Sequence, residues 1–321
     1  MSSGRLRALV ALFGVPVGLV FLWLAVRNAD LDAVWDSLRD ADAGLVALGV
    51  VAFGAVYACQ SARWKRIAAV PSVSLGRFYE MTVSGVAVNN VLPGRVGDFL
   101  RARWLGLAAR MVAGRAFGTV ILDRAFDLVV LVGLLVVGIA AVASSEWLVQ
   151  LAAAGAVVVL ALAGVVLFSR SYIGKRERGR HDRGLVRRLV RDTVERLAEP
   201  LGRRSLIAWL ALSLGAWGFW AGAALLVAHS LGIELSVAEA LFVTAVLNLG
   251  SAVPSSPGYV GTYEWLGVAS LGLLGVDNEP ALAFTILLHA TWYVPTTVFG
   301  AVALGSRGAF ELRRRSARVR E

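Results

Sequence analysis

Apolar stretches of about twenty residues recur at 8–26, 44–62, 116–143, 148–168, 206–229 and 281–304. At 1.5 Å per residue each makes a helix of roughly 30 Å, the thickness of a bilayer's hydrocarbon core, so the chain reads as six full crossings. Composition agrees: 58% of the 321 residues are apolar and the mean hydropathy is +0.70, far above a soluble domain. The expected fold class is therefore an all-α polytopic membrane protein. Residues 1–305 form one integral membrane domain and 306–321 a basic tail. The first stretch follows Arg5 and Arg7, but its apolar run is long for a signal peptide and no small-residue cleavage site follows, so it reads as a retained helix.

The basic residues orient these crossings. With the N-terminus inside, cytoplasmic segments collect Arg5 and Arg7, the Arg63-Trp64-Lys65-Arg66 cluster, Arg77 to Arg124, the 170–204 loop and the tail from Arg307. Those segments hold 30 of the 32 lysines and arginines; Arg27 and Arg39 are the exceptions. Acids such as Asp30, Asp36, Glu146, Glu234 and Glu279 mark the outer segments instead. The positive-inside rule then puts both termini in the cytoplasm of a cell-membrane protein. The net charge of +10 is the residue of this topology and does not call for a nucleic-acid partner. One cysteine, Cys59, excludes an internal disulfide framework.

Two apolar regions do not fit as crossings. Residues 78–92, FYEMTVSGVAVNNVL, make roughly 22 Å of helix and are broken by Pro93-Gly94, with arginines on both flanks that belong to the cytoplasm. Residues 240–276 run into Pro254-Ser255-Ser256-Pro257-Gly258 and return between acidic, outer flanks. Each reads as a re-entrant helical hairpin, one from each side. A plainer reading makes 240–254 and 259–276 two short full spans with a tight turn. The corners share one pattern, Pro93-Gly94-Arg95-Val96-Gly97 and Pro257-Gly258-Tyr259-Val260-Gly261. The pattern marks an inverted repeat, with repeat one at 44–143 and repeat two at 206–304, the basic loop 170–204 lying between them. Transporters use such broken helices to build a site at mid-membrane.

NNVLPGRVGDFLR and VPSSPGYVGTYEWLG together resemble the transmembrane region shared by the lysylphosphatidylglycerol synthase and flippase-like family, over roughly residues 5–305. The resemblance implies an integral membrane fold with re-entrant helices and a role in moving a lipid between leaflets. Tyr259 stands where the family often has a second glycine. No aminoacyl-transferase domain follows residue 305 in this sequence, so lipid aminoacylation is not expected of it.

In the first hairpin Arg95 and Arg101 frame Asp98, while Gly94 and Gly97 let backbone N–H groups converge on an anion. Guanidinium suits a phosphate bidentately, making this corner the expected headgroup site. The alternative is a local Arg95–Asp98 pair with Arg101 reaching the interface. Asn89 and Asn90 either cap a broken helix or bond a headgroup. Asp123 and Asp127 share a face beside Arg124, as a path or proton-titrating group or as a clasp to a neighbouring helix. Glu264 is the corresponding acid of the second hairpin and a candidate for proton coupling. His289 and Tyr293 share a face in the last span, where His289 is expected to satisfy a helix contact.

Val186, Val190, Val194, Leu197 and Leu201 give the 170–204 loop, with 12 basic and 5 acidic residues, the spacing of an amphipathic helix on anionic lipid, or of a merely topological loop. Leu31, Val34, Trp35 and Leu38 suggest a second interfacial helix. No phosphate-binding GxxxxGK[ST] loop, metal-ligand spacing or GxSxG elbow occurs, so no cofactor or metal is expected. The expected function is a lipid translocase for a phosphate-bearing lipid, with anionic membrane lipids as partners. Two alternatives stand beside it. One is a membrane glycosyl or headgroup transferase using Asp30 and Asp32 to hold a metal; the other is an accessory subunit of an envelope-lipid synthase.

Overall fold

The computed structural model describes residues 3–92, 95–142, 202–251 and 256–318, with Gln150, Asp192 and Thr193; side chains are described from Val15 to Gly305 within those ranges. Among these residues no strand occurs. In chain order the α-helices are α1 (Ser3–Val26), α2 (Leu31–Asp40), α3 (Ala43–Ala68), α4 (Leu75–Val91), α5 (Val96–Ala109) and α6 (Ala113–Val142). Then follow α7 (Arg203–Ser230), α8 (Val237–Gly250), a 3₁₀ turn at Pro257–Tyr259, α9 (Thr262–Gly272) and α10 (Asn278–Arg318). The stretch 148–168 and the amphipathic spacing from Val186 to Leu201 lie outside the described residues, save Asp192 and Thr193.

Four helices are long and apolar enough to cross a membrane: α3, α6, α7 and α10 as far as Gly305. They coincide with the stretches expected at 44–62, 116–143, 206–229 and 281–304. In α1, the apolar part with described side chains is Val15–Val26. The helices beside the two Pro-Gly corners are shorter. α4 and α5 have 17 and 14 residues, α8 and α9 have 14 and 11, so the longest extends roughly 25 Å.

Polar caps fix where these helices begin. Asp42 accepts from Gly44 N and Leu45 N at the start of α3, and Asp30 accepts from Asp32 N and Ala33 N at the start of α2. Ser74 caps α4 through Arg77 N. Ser236 caps α8 through Glu239 N, and the Glu239 carboxylate accepts from Ser236 N in return. Each such cap is worth about 1 kcal/mol. α2 is the short helix expected from Leu31, Val34, Trp35 and Leu38; Val34 is buried against Ala25, Leu282 and Ala283, while Leu31 and Trp35 stay exposed.

The packing is reciprocal. α3 lies along α7, with small residues such as Gly49, Ala223 and Ala224 letting the backbones approach. The short helix of each half packs on the last long helix of the other: α4 on α10, and α8 on α6. The main core therefore joins Phe53 and Tyr57, Trp217 and Trp220, Phe242 and Leu247, and Phe284 and Trp292. A second cluster holds Trp64, Phe78, Met81, Leu105 and Val120. Val51, Val137, Phe219 and Phe299 are exposed on the outer faces of the long helices, where a bilayer would cover them.

Candidate functional site

A cavity of about 320 Å³ opens where the two sets of short helices meet. The α4–α5 side contributes Asn89, Asn90, Arg95 and Asp98; the α8–α9 side contributes Asn248, Ser251, Tyr259 and Tyr263. Its remaining walls come from Tyr57 and Gln60 of α3, Asp127 and Leu131 of α6, Trp217 and Trp220 of α7, and Trp292 of α10. These last residues fall in the middle third of their helices, Gln60 just past it, so the cavity lies near mid-span.

Beside the cavity the charged residues form a closed ring of three arginines and three aspartates. Arg63 Nε donates to Asp123 at 2.8 Å, and Asp123 also receives Arg101 Nη2 at 3.2 Å. Arg101 reaches Asp98 at 3.5 Å, Arg124 joins Asp98 at 3.1 Å and Asp127 at 3.2 Å, and Asp127 returns to Arg63 at 2.8 Å. The last approach is an ion pair without hydrogen-bond alignment, since Asp127 Oδ1 has no donor directed at it; Arg63 Nη1 donates instead to Ser213 Oγ at 2.7 Å. The ring is formally neutral, which is what permits six ionisable groups to sit this deep, with Arg63, Arg101 and Asp123 almost fully buried. Arg101 also lies over the Trp64 ring, 4.2 Å from its centroid.

This ring redistributes the expected headgroup residues. Asp98 is held by Arg101 and Arg124, with no ion pair to Arg95. Arg101 has its guanidinium committed to Asp98, Asp123 and Trp64 and is not in the cavity wall. Arg95 is in the wall; its described partner is the Ser251 carbonyl, at 3.5 Å. Arg95 thus stands outside the neutral ring as a cation facing the cavity. Asn89 Oδ1 accepts from Gly97 N at 2.7 Å, tying α4 to the start of α5, and Asn90 Nδ2 donates to Thr297 Oγ1 at 2.8 Å. Pro93, Gly94, Pro254 and Ser255 lie outside the described residues. Sequence reasoning missed Arg63, which it had counted as a topological charge.

At the second corner Ser256 Oγ donates to Val260 O, and Gly258 has φ 71° with Tyr293 and the Asn90 carbonyl against it. Gly261 and Gly97 hold the same place in the two patterns, and each meets a backbone carbonyl. A Cβ at Gly97 would sit 1.9 Å from Gly85 O, and one at Gly261 would sit 1.9 Å from Gly18 O. Glu264 accepts from Gly261 N at 2.5 Å and pairs with His289 Nδ1 at 2.6 Å. His289 thus links α10 to α9, and the ring of Tyr263 lies 4.5 Å away. Tyr293 OH donates to Asn90 O at 3.3 Å, joining α10 to the end of α4.

The model of the family called lysylphosphatidylglycerol synthase TM region matches residues 9–300. The chain belongs to that family. It is 24% identical to a UPF0104 membrane protein of Methanothermobacter thermautotrophicus over 90% of this chain and 93% of the relative. UPF0104 membrane protein MJ1078 of Methanocaldococcus jannaschii is 23% identical over 67% of this chain and 92% of its own length. Glycosyltransferase AglD of Haloferax volcanii is 25% identical over 92% of this chain, which spans 54% of AglD.

The cavity, the ion ring and both Pro-Gly corners all fall within the matched lysylphosphatidylglycerol synthase transmembrane region. This family member is a multi-pass integral membrane protein. Asp30, one of the two acids considered for a metal, is the cap of α2, and its backbone N–H donates to Glu279 at 3.3 Å. Among the described residues no group of three or more His, Cys, Asp or Glu side chains gathers as a metal site.

Proposed function

We propose that this family member is a lipid translocase that takes a phosphate-bearing headgroup into the mid-span cavity while the tails stay in the bilayer. Arg95 carries the reading: it is a cation in the cavity wall that the ion ring leaves uncommitted. A phosphate entering there would complete a charge-assisted bond that the protein itself does not supply. A second, more apolar hollow of about 350 Å³ adjoins the cavity, lined by Val50, Phe53, Val83, Pro295 and Phe299. Tyr57 and Trp292 line both, so a headgroup in one and an acyl or prenyl chain in the other would lie on either side of these two residues.

The reciprocal packing of α4 on α10 and α8 on α6 supports an inverted repeat, in which the two short-helix pairs are re-entrant hairpins from opposite faces. Charge supports both termini in the cytoplasm of the cell membrane. Transport then alternates by rocking one half against the other. The Glu264–His289 pair is the assigned place for any proton coupling, because it links the second hairpin to α10.

The test reconstitutes the protein in vesicles with labelled phospholipids and polyprenyl phosphates and follows leaflet exposure with and without a pH gradient. Arg95→Ala is expected to lower transport at least tenfold with folded protein retained, as loss of a charged hydrogen bond implies. Normal transport by that variant rejects the phosphate role. The relation to AglD favours a second reading, a membrane subunit or enzyme of glycosyl transfer. That reading predicts a new lipid product in place of a moved one.

A further inference from the structure

Helical geometry divides the basic cluster at the end of α3 in two. Arg63, Trp64, Ile67 and Ala68 face inward and are buried, with Arg63 in the ion ring. Ala62, Lys65, Arg66 and Ala69 follow the i, i+3, i+4, i+7 spacing of the opposite face and line a groove of about 610 Å³. Ala69 ends the helix with a left-handed backbone, φ 52°, and the chain turns so that Val70, Pro71 and Leu75 form the other side of the groove. Arg66 is exposed and Lys65 half-buried, and among the described residues neither has an ion pair or a side-chain hydrogen bond. Arg77, the next cation along the chain, is by contrast held by Glu80 at 2.6 Å. Because α3 crosses the membrane and ends at Ala68, the groove stands at the level where hydrocarbon gives way to headgroups.

We infer that this groove is a resident-lipid site separate from the mid-span cavity. It holds one anionic glycerophospholipid of the adjoining leaflet, with the phosphate between Lys65 and Arg66 and the first part of the acyl chains along Ala62, Val70 and Leu75. Charge selects the headgroup. Two uncommitted cations and no acid line the groove, so a phosphate is attracted while an ammonium finds nothing to pair with. The guanidinium of Arg66 suits two phosphate oxygens at once, and Lys65 adds a point charge beside it. The rest of the lining is apolar, which a free anion would leave uncovered and a diacyl lipid would cover. Leu75, the first residue of α4, is 47% exposed there. The stems of Lys65 and Arg66 lie along such a surface while their charged ends meet the phosphate. A volume of about 610 Å³ falls within the ordinary range of ligand pockets, roughly 300–1,000 Å³. A lipid seated here braces α3 on the face opposite Arg63, steadying the ion ring from behind without touching it. The inference does not depend on what the cavity carries.

The experiment takes the full chain in a neutral detergent and counts bound lipid by native mass spectrometry. Phosphatidylglycerol, phosphatidylcholine and glycerophosphoglycerol, the water-soluble headgroup of the first, are titrated in turn. One phosphatidylglycerol is expected to bind at least about tenfold tighter than phosphatidylcholine, as two interfacial cations imply. Changing Lys65→Gln and Arg66→Gln together should abolish that preference, whereas Lys65→Arg with Arg66→Lys, which keeps both charges, should retain it. Ala62→Phe fills the groove and leaves both cations in place, so it should weaken binding as well and serves if the double glutamine variant does not fold. The series is repeated on Arg95→Ala, where the preference should persist, so that this site and the translocase reading stand or fall separately. Equal binding of the two lipids, a preference unchanged by the double glutamine variant, or one lost with Arg95→Ala overturns the site. Equal affinity for glycerophosphoglycerol overturns the lipid and leaves only a small-anion site.

Discussion

Arg95 and Tyr259 occupy the middle position of the two Pro-Gly-x-Val-Gly patterns, and both hold a left-handed backbone, with φ 53° and 63°. A non-glycine residue there costs about 1–2 kcal/mol. Arg95→Gly is therefore expected to raise stability by about 1 kcal/mol while losing transport as Arg95→Ala does. Thermal unfolding in detergent, run beside the vesicle assay, separates the two effects. A drop in the unfolding midpoint would show that the arginine side chain, rather than backbone strain, dominates at that corner.

The ion ring predicts a steep response to loss of one cation. Arg63→Met leaves Asp123 and Asp127 each with one partner fewer in a buried setting, so a loss of about 3–5 kcal/mol is expected, seen as a collapse in monodisperse yield. Arg63→Lys should recover less than half of it, because one ammonium cannot span Asp123, Asp127 and Ser213 together.

Gly97→Ala should force α5 away from α4, and Gly261→Ala should force the second corner away from α1, since each new methyl would meet a carbonyl. Overpacking of this kind costs about 1–3 kcal/mol or more. Gly133→Ala, which has open space around it within α6, should be neutral or slightly stabilising. The comparison is read from unfolding midpoints of the three variants.

His289→Phe keeps a ring beside Tyr263 and Trp292 but strips Glu264 of its partner on α10. The expected loss is about 1–3 kcal/mol, that of a buried acceptor left unmet. Glu264→Gln, which retains an acceptor for Gly261 N, should cost less. Chemical denaturation of both variants checks the order.

Ser74 and Ser236 cap the short helices α4 and α8, which correspond in the proposed inverted repeat. In a Cys59→Ser background, Ser74→Cys should react with an impermeant maleimide from the cytoplasmic side and Ser236→Cys from the outer side. Labelling of both from one side would remove the inverted repeat.

Much of this was legible along the chain and some of it was not. The four crossings α3, α6, α7 and α10 were readable because twenty apolar residues have one economical fate in a bilayer. Asp123 and Asp127 were readable as a shared face because helical spacing is local. Their partner was not. Arg63 lies 60 positions from Asp123, inside a basic cluster that looked like a topological signal, and only tertiary packing of α3 beside α6 turns it inward. For the same reason Asp98 could not be assigned to Arg124 rather than to its near neighbour Arg95. The left-handed backbone at Tyr259 was foreshadowed by the family's glycine at that position, although the tyrosine itself hid it.

The ring of ions knits α3, α5 and α6 into a single block, because every guanidinium in it grips acids on more than one side and none of the three helices can slide without unseating several contacts together. Among the described residues α8 and α9 carry no such clamp: they are held by apolar neighbours such as Leu131, Phe284 and Trp292, by the Glu264–His289 link and by the Arg95 bond to Ser251 O. The two groups of short helices are thus unequally held, an anchored jaw and a looser one. In the proposed transport cycle the looser jaw should swing first.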